Sequence, residues 1–386
     1  MKSKLYRLHL LTASLRVAGD AIETVALPWS ILNATGSLIS IGGYALFTHL
    51  PWVILPPILG RTLDRTVKKV RLAFLALILQ AFLAVLIIPL SSNVWAFYLI
   101  VSGISALDIL HRYYGFSLVA SMTLHESELQ RLNATKETVG EATSLLAYPL
   151  AGFLAYRFGI WSMLIDAALL LIGALALVPY LNVDVKREKE TEERAKPVEI
   201  SRKLVIGFMV TLLLFNFALG SFRIFVFSSL RALEKGEVIY GLLQSLTTVG
   251  SLVAVLGITY FAHRRELGIR RPLLAGMLLQ SFALILVGLP KVAALLPAVF
   301  VLGLGGAFLN VSFDSLFQKV FPLDRLGTFR GIFDALATLV IPISQILFAW
   351  LIERGLSPLG LSSGAFLIAL VALAFLQLSL RAIELG

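Results

Sequence analysis

The sequence has no cysteine and few charged residues, and both shortages exclude classes of protein. Without cysteine there is no disulfide, thiolate nucleophile or cysteine-ligated metal or iron–sulfur site. Charged residues make up 15% of the 386 residues and hydrophobic residues 58%, which is too apolar for an ordinary soluble domain. The five histidines lack metal-ligand spacing, and no phosphate-binding glycine-rich loop with Lys-Ser/Thr is present. We therefore predict no cofactor, no metal site and no ATP hydrolysis.

Apolar stretches long enough to cross a bilayer follow one another from Leu8 almost to the C-terminus. Each crossing needs about 20 mostly apolar residues. The first part of the chain has six such stretches, near 8–32, 38–59, 72–91, 94–122, 135–155 and 160–180. Six more follow a polar interval, near 204–230, 238–261, 273–290, 293–316, 329–352 and 359–382. The first contains charges and lacks a small-residue cleavage site, so we interpret it as a retained span and not a signal peptide.

Lysine and arginine are strongly biased toward alternate loops. Of the 33 in the chain, 25 lie on one side of the predicted spans, 5 on the other and three inside spans. Because positively charged loops stay in the cytoplasm, this bias predicts a multi-pass protein of the plasma or inner membrane with both termini cytoplasmic. The same bias accounts for the net charge of +10, so nucleic-acid binding is not predicted.

The two sets of spans resemble each other at an offset of 193 residues, which aligns Glu141 with Asp334 and Pro149 with Pro342. Two six-helix halves related by an axis along the membrane normal are a known transporter plan, with the substrate site between them near the midplane. We predict an all-α membrane protein with twelve transmembrane helices in two six-helix pseudo-repeats. Its parts are an N-terminal half over 1–181, a cytoplasmic central loop over 182–203 and a C-terminal half over 204–386.

The loop after the second predicted span carries a recognisable motif, which runs from Gly60 through Asp64-Arg65 to Lys68-Lys69. It resembles the major facilitator superfamily signature of Gly, three residues, Asp-Arg, two residues and a basic pair. The resemblance implies that Gly60 permits close helix approach and that Asp64 makes state-dependent contacts with the other half. The alternative is a basic loop that only fixes topology.

Three further stretches resemble the branch of this superfamily that contains macrolide-efflux and enterobactin-exporter proteins. They are Gly19-Asp20 with the segment 25–29, the positions 128–134 before the fifth span, and Pro149 with Gly152. In the last, Tyr148 replaces the glycine of the superfamily's antiporter motif. The resemblance implies alternating access and proton-coupled efflux of amphipathic or hydrophobic small molecules. Glu141 and Asp334, with Pro149 and Pro342, are then candidate gating residues.

Charged residues inside the predicted spans need a functional explanation, because each costs about 2.5 to 3.5 kcal/mol on insertion scales. Arg16, Asp20 and Glu23 are spaced four and three residues apart in the first span and so share one helical face. The fourth span carries a second such face, formed by Asp108, His111 and Arg112.

Two arrangements of these charges are compatible with the sequence. In one, Asp20 or Glu23 meets Arg112 across a central cavity. In the other, Arg16 pairs with Asp20 and Asp108 pairs with Arg112, each one turn apart, and the pairs are only structural. The spacing alone leaves both open.

Carboxylates outnumber arginines inside the spans, by seven to three. Burial disfavours the charged form of a carboxyl group, so we expect one of them to hold a proton. For proton coupling we predict Asp20 first and Glu23 second, with Asp108 and Arg112 as partners. Asp166 and Asp314 lie closer to span ends, where we expect water to reach them.

The candidate substrate cavity includes further polar and aromatic residues, although such residues often only tie helices together. The set is Arg16, Trp29, His111, Asn216, Arg223 and Asn310.

The expected partners are a small-molecule substrate, a proton or other cation and the lipid bilayer, and we expect a monomer. Cation-coupled uptake or uniport of a small solute is an alternative on the same fold. An alternative of another class is a membrane-embedded enzyme that uses buried carboxylates or His111. We disfavour the enzyme and predict no catalytic residue, because no paired metal motif is present and an active site does not require the repeat.

Overall fold

The structure is a computed structural model that describes residues 2–65, 69–120, 126–182, 202–262, 269–320 and 326–384. All the regular secondary structure in these residues is helical. The long helices are α1 (Lys2–Thr35), α2 (Leu38–Arg65), α3 (Lys69–Leu90), α4 (Val94–Ala120), α5 (Glu126–Phe158), α6 (Met163–Leu177), α7 (Arg202–Leu230), α8 (Gly236–Ala262), α9 (Arg270–Val287), α10 (Leu295–Val320), α11 (Leu326–Glu353) and α12 (Pro358–Glu384).

Ten stretches of the described residues are long and apolar enough to cross a membrane. One of them, Thr135–Tyr180, runs through both α5 and α6, so the ten stretches cover eleven helices. The remaining helix is α1, whose hydropathy is lowered by Arg16, Asp20 and Glu23. At 34 residues it is still long enough to span a bilayer. The predicted all-helical, multi-pass membrane fold is confirmed.

α3 shows how these helices divide between protein and lipid. Leu75, Leu79 and Phe82 are each more than half exposed and share one face of the helix. The opposite face, which includes Leu77 and Gln80, is buried against α4 and α6. Exposed apolar side chains in such numbers are unfavourable in water, but they match the acyl chains of a bilayer.

The helices form two compact units. The first comprises Met1–Gly36, Phe47–Thr191 and Glu237–Leu242, and the second comprises Ser37–Leu46, Glu192–Gly236 and Leu243–Gly386. Within the first, α1 packs against α5 and α6, and α3 packs against α4 and α6. Within the second, α7 packs against α11 and α12, and α9 packs against α10 and α12. The same pairing recurs six helices later, as the internal repeat predicts.

The start of α2 belongs to the second unit and is capped there by a carboxylate. Gly36 ends α1 with a φ of 69°, a conformation that glycine adopts without strain. The Leu38 N–H then donates to Glu353 Oε1 at 2.5 Å, and the Ser37 hydroxyl donates to the same oxygen at 2.8 Å. A negative charge at a helix N-terminus is favourable because unpaired N–H groups point at it.

Candidate functional site

The first unit brings together charged side chains from three helices. Arg16, Asp20 and Glu23 come from one face of α1, and Asp108 and Arg112 lie one turn apart on α4. The third helix is α6, which packs against α1 and contributes Asp166. We call these six residues the charged cluster.

Arg16 connects the carboxylates of the cluster to one another. Its guanidinium forms an ion pair with Asp20, lies 2.7 Å through Nη2 from Asp108 Oδ1, and lies 3.2 Å through Nη1 from Glu23 Oε1. The side chain is only 5% exposed. A guanidinium suits this position because its five N–H donors fan out in one plane and reach several acceptors at once.

Arg112 links the cluster to a more open region. Its Nε donates to Asp108 Oδ2 at 3.0 Å, and its Nη2 lies 3.9 Å from Asp20 Oδ2. The guanidinium carbon stands 5.4 Å from the ring centre of Trp52, within the range of a cation–π contact. The side chain is 61% exposed, so this charge remains accessible.

Contacts from both sequence-based arrangements occur in one network, since Arg112 lies 3.9 Å from Asp20 and also pairs with Asp108. The pairs Arg16–Asp20 and Asp108–Arg112 form within α1 and α4, and Arg16 also reaches Asp108 across the two helices. Gln80 of α3 completes the network: with its amide oxygen turned toward Arg16, it accepts from Nη1 at 3.1 Å and Nη2 at 3.2 Å.

The expectation that water reaches Asp166 is wrong. The residue lies near the start of α6, but it is fully buried, and it faces Glu23 and Gly19 of α1. Position along the helix did not determine its exposure, because α1 and α3 cover that turn of α6. The side chain of Asp314 is outside the described part of the chain.

A cavity of about 150 Å³ opens beside the cluster, between α1, α4 and α5. Asp20, 26% exposed, stands on the cavity side of the network, and Glu23, 13% exposed, lies deeper. Most of the residues that line it are charged or polar, and they include Arg16, Asp20, Asp108, His111, Arg112 and Lys136.

The other predicted cavity residues lie elsewhere. Trp29 is buried in the packing of α1 and is not among the residues that line this cavity. In the second unit, the Asn216 amide donates to Leu212 O at 2.9 Å, and the Arg223 guanidinium carbon stands 5.7 Å from the ring centre of Tyr44. Asn310 is exposed. The sequence grouped these residues by polarity alone, whereas the structure brings only Arg16 and His111 of that set to this cavity.

The structure describes some of the predicted gating and signature-loop residues and not others. Glu141 and Pro149 lie on α5, and Asp334 and Pro342 lie on α11. Gly152, one turn after Pro149, lies against the start of α8, and a Cβ there would come within 2.8 Å of Glu237 O. In the signature loop, Gly60, Asp64 and Arg65 belong to α2 and Lys69 begins α3, but their side chains, and all of Lys68, lie outside the described residues.

The cluster has more negative than positive groups. Asp20, Glu23, Asp108 and Asp166 stand against two arginines, so full ionisation would leave two uncompensated charges in a buried site. Burying an unpaired charge is strongly unfavourable. In the described residues, no group of three histidine or acidic side chains has the arrangement to hold a metal ion. The chemistry suited to this composition is the uptake and release of protons.

Comparisons with known proteins agree with the fold. The chain matches the family model described as Major Facilitator Superfamily over residues 10–344. No curated protein matches it in sequence. Similar solved structures include the nucleoside transporter NupG, with a TM-score of 0.77 and 14% identity over 96% of this chain and 99% of that chain. A bacterial homologue of the iron transporter ferroportin has a TM-score of 0.71 and 16% identity over 97% and 98%.

A third similar structure is a bacterial homologue of the human lysosomal transporter Spinster, with a TM-score of 0.69 and 13% identity over 98% of this chain and 97% of that chain. At such low identities these structures show a shared fold. The family model is stronger, because it extends from within α1 into α11. This chain therefore belongs to the Major Facilitator Superfamily and is a membrane transporter rather than an enzyme.

Proposed function

We propose that this protein is a secondary active transporter that works by alternating access and exports amphipathic or hydrophobic small molecules in exchange for protons. The direction and the substrate class rest on the sequence resemblance to the macrolide-efflux and enterobactin-exporter branch. We further propose that it is a monomer in the plasma or inner membrane, with both termini in the cytoplasm.

The observation that supports the proposed proton coupling is the position of the charged cluster beside a cavity. Asp20 lines the cavity and pairs with Arg16, which also holds Glu23 and Asp108. Protonation of Asp20 removes its charge and frees part of the guanidinium to bond more strongly to the other two carboxylates. A cationic group of a substrate has the opposite preference, because it binds the ionised carboxylate. Proton and substrate therefore compete for one site, as exchange requires.

A coupling test compares the double variant Asp20→Asn, Glu23→Gln with the unaltered protein in everted membrane vesicles. The probe is ethidium, an amphipathic cation, and respiration acidifies the lumen. We expect gradient-driven ethidium accumulation to fall at least tenfold, because neither amide can exchange a proton. Glu234→Gln, an exposed acid in the turn before α8, serves as the control and should leave accumulation unchanged. Unchanged accumulation in the double variant would refute the coupling role of these two acids.

A second candidate function is cation-coupled uptake or uniport of a small polar solute, and the chemistry of the cavity favours it. His9, Lys136 and Glu137 add further charged or ionisable groups to the lining, whereas a pocket for a hydrophobic molecule is mostly apolar and aromatic. Reversing the pH gradient distinguishes the two. An exporter fills everted vesicles only when the lumen is acidic, and a proton-coupled importer does so only when the lumen is alkaline.

A further inference from the structure

The acid of the charged cluster that has no ion pair in the described structure is Asp166. Its side chain is fully buried, and no hydrogen-bond donor among the described residues reaches either carboxyl oxygen. The donors of Arg16 that point toward carboxylates are directed at Asp20, Asp108 and Glu23 instead. An ionised carboxylate in this position would be both desolvated and unbonded, which is strongly unfavourable.

The group facing Asp166 is another carboxyl group, that of Glu23, within hydrogen-bonding reach. Two ionised carboxylates repel each other, and neither can donate a hydrogen bond. If one carries a proton, its O–H can donate to the other. The contact is therefore favourable only when the pair shares at least one proton, the arrangement known for carboxylates held close together.

Among the described residues, the other charged groups near Asp166 all lie on α1. On α1 the charged neighbours are Arg16, Asp20 and Glu23. On α3, the other long helix packed against α6, no titratable side chain occurs from 72 to 90. The 3₁₀ turn Gly159–Ser162 has none, and Asp166 is the one titratable residue of α6. Of the groups on α1, Glu23 is the carboxyl group within hydrogen-bonding reach, which makes it the direct partner for proton exchange with Asp166.

Gly19 makes the close approach of Asp166 to α1 possible. A Cβ at position 19 would clash with Asp166 Oδ1 and stand 3.4 Å from its Cγ. The carboxyl group thus occupies the space that the side chain of any residue other than glycine at position 19 would fill. The absence of a side chain at position 19 therefore provides the room in which α1 and α6 accommodate a buried carboxyl group.

We infer that Asp166 is a proton-binding residue, which holds a proton shared with Glu23 and exchanges it with the cavity through Glu23 and Asp20. In each step a proton leaves one carboxyl oxygen and joins the next, so no other reactant is needed. The exposure of the three acids increases in that order, from none at Asp166 to 13% at Glu23 and 26% at Asp20. The connection to transport rests on the proposed function, but the protonated state of Asp166 does not.

The first test measures that protonated state directly. Infrared spectra of the full chain in lipid at neutral pH should show the carbonyl stretch of a protonated carboxyl group, with a shift in deuterium oxide. Asp166→Asn should remove the part of this band that Asp166 contributes, and Glu234→Gln, at an exposed position before α8, should leave the band unchanged. Because a neutral amide replaces a neutral acid of the same shape, the unfolding temperature of Asp166→Asn should stay close to that of the unaltered protein. A band of unchanged position and intensity in Asp166→Asn would overturn the inference.

Gly19→Ala provides a second variant that keeps the acid. Its methyl group displaces Asp166 from Glu23, so the carbonyl band should shift or disappear although Asp166 is still present. An unchanged band in Gly19→Ala would show that the contact with Glu23 does not hold the proton.

The second test concerns the connection to transport. Asp166→Asn should reduce gradient-driven ethidium accumulation in everted vesicles at least tenfold while ethidium equilibration without a gradient continues. If the infrared band were lost but accumulation were unchanged, the relay would be refuted and the proposed function would stand. If the band behaved as expected but the Asp20 and Glu23 variant still accumulated ethidium, the proposed coupling would fail and the proton at Asp166 would remain.

Discussion

Arg16 has a larger electrostatic role than any other described residue of the cluster, because it contacts three carboxylates while almost fully buried. Removing one partner from a buried ion pair is far more damaging than removing a surface pair, since it leaves a desolvated charge without compensation. Arg16 should thus stabilise the packing of α1 against α4, and through Asp20 it belongs to the coupling site proposed above.

We therefore expect Arg16→Gln to lower the free energy of unfolding by about 3–5 kcal/mol, the range for breaking a buried pair. The measurement is thermal and denaturant unfolding of the purified protein in detergent. Arg157→Gln, at an exposed position near the end of α5, is the matched control and should change little. Equal effects of the two substitutions would show that the cluster is already neutralised by protons and does not depend on the guanidinium.

The sequence revealed part of this cluster. The spacing of Arg16, Asp20 and Glu23 follows the helical repeat, so their common face was predictable. The burial of Asp166 was not, because it depends on how α1 and α3 cover α6, and hydropathy contains no such information. A signal was nevertheless present: Gly19 is a small residue directly before Asp20, which indicates close approach by another group.

At the scale of elements, glycines decide how closely the helices of the second unit pack. A Cβ on Gly250 of α8 would clash with the carbonyl oxygen of Phe300 on α10 and lie 3.0 Å from the Leu304 nitrogen. These are backbone atoms, which cannot rotate away as a flexible side chain can. By contrast, a Cβ on Gly257 of the same helix would meet no atom within 4 Å.

Gly250→Ala should accordingly lower the free energy of unfolding by about 1–3 kcal/mol, the usual effect of overpacking. Gly257→Ala makes the same chemical change in open space and should be neutral, or stabilising by up to about 1 kcal/mol through helix propensity. Thermal unfolding of both variants in the same detergent gives the comparison. If Gly257→Ala were as destabilising as Gly250→Ala, helix contact would not be the cause.

At the scale of the whole molecule, the fold was predictable because lipid imposes a simple constraint. Each span must be a continuous helix about 20 residues long, so hydropathy finds most of them. The repeat of Glu141 and Pro149 at Asp334 and Pro342 then indicates six helices in each half. Substrate and direction are not encoded in this way, because they depend on which side chains converge in three dimensions.

Orientation is the whole-molecule property that the charge bias predicts, and the natural absence of cysteine allows it to be measured. Single cysteines at exposed positions would be the sole targets of a membrane-impermeant maleimide: Lys4→Cys at the start of α1, Ser92→Cys between α3 and α4, and Ser357→Cys between α11 and α12. We expect intact cells to be labelled at positions 92 and 357, and at position 4 only after permeabilisation. The unaltered chain is the control and should take no label.

The same three positions test whether α1 crosses the membrane, which its hydropathy alone does not indicate. Eight helices separate positions 92 and 357, so these two must be labelled from one side whatever α1 does. Position 4 is separated from position 92 by α1, α2 and α3. Since α2 and α3 are both long and apolar enough to cross, position 4 lies on the opposite side only if α1 crosses as well. Labelling of all three variants in intact cells would mean that α1 does not span the bilayer. Arg16, Asp20 and Glu23 would then lie outside the membrane, and the proton coupling proposed for them would lose its physical basis.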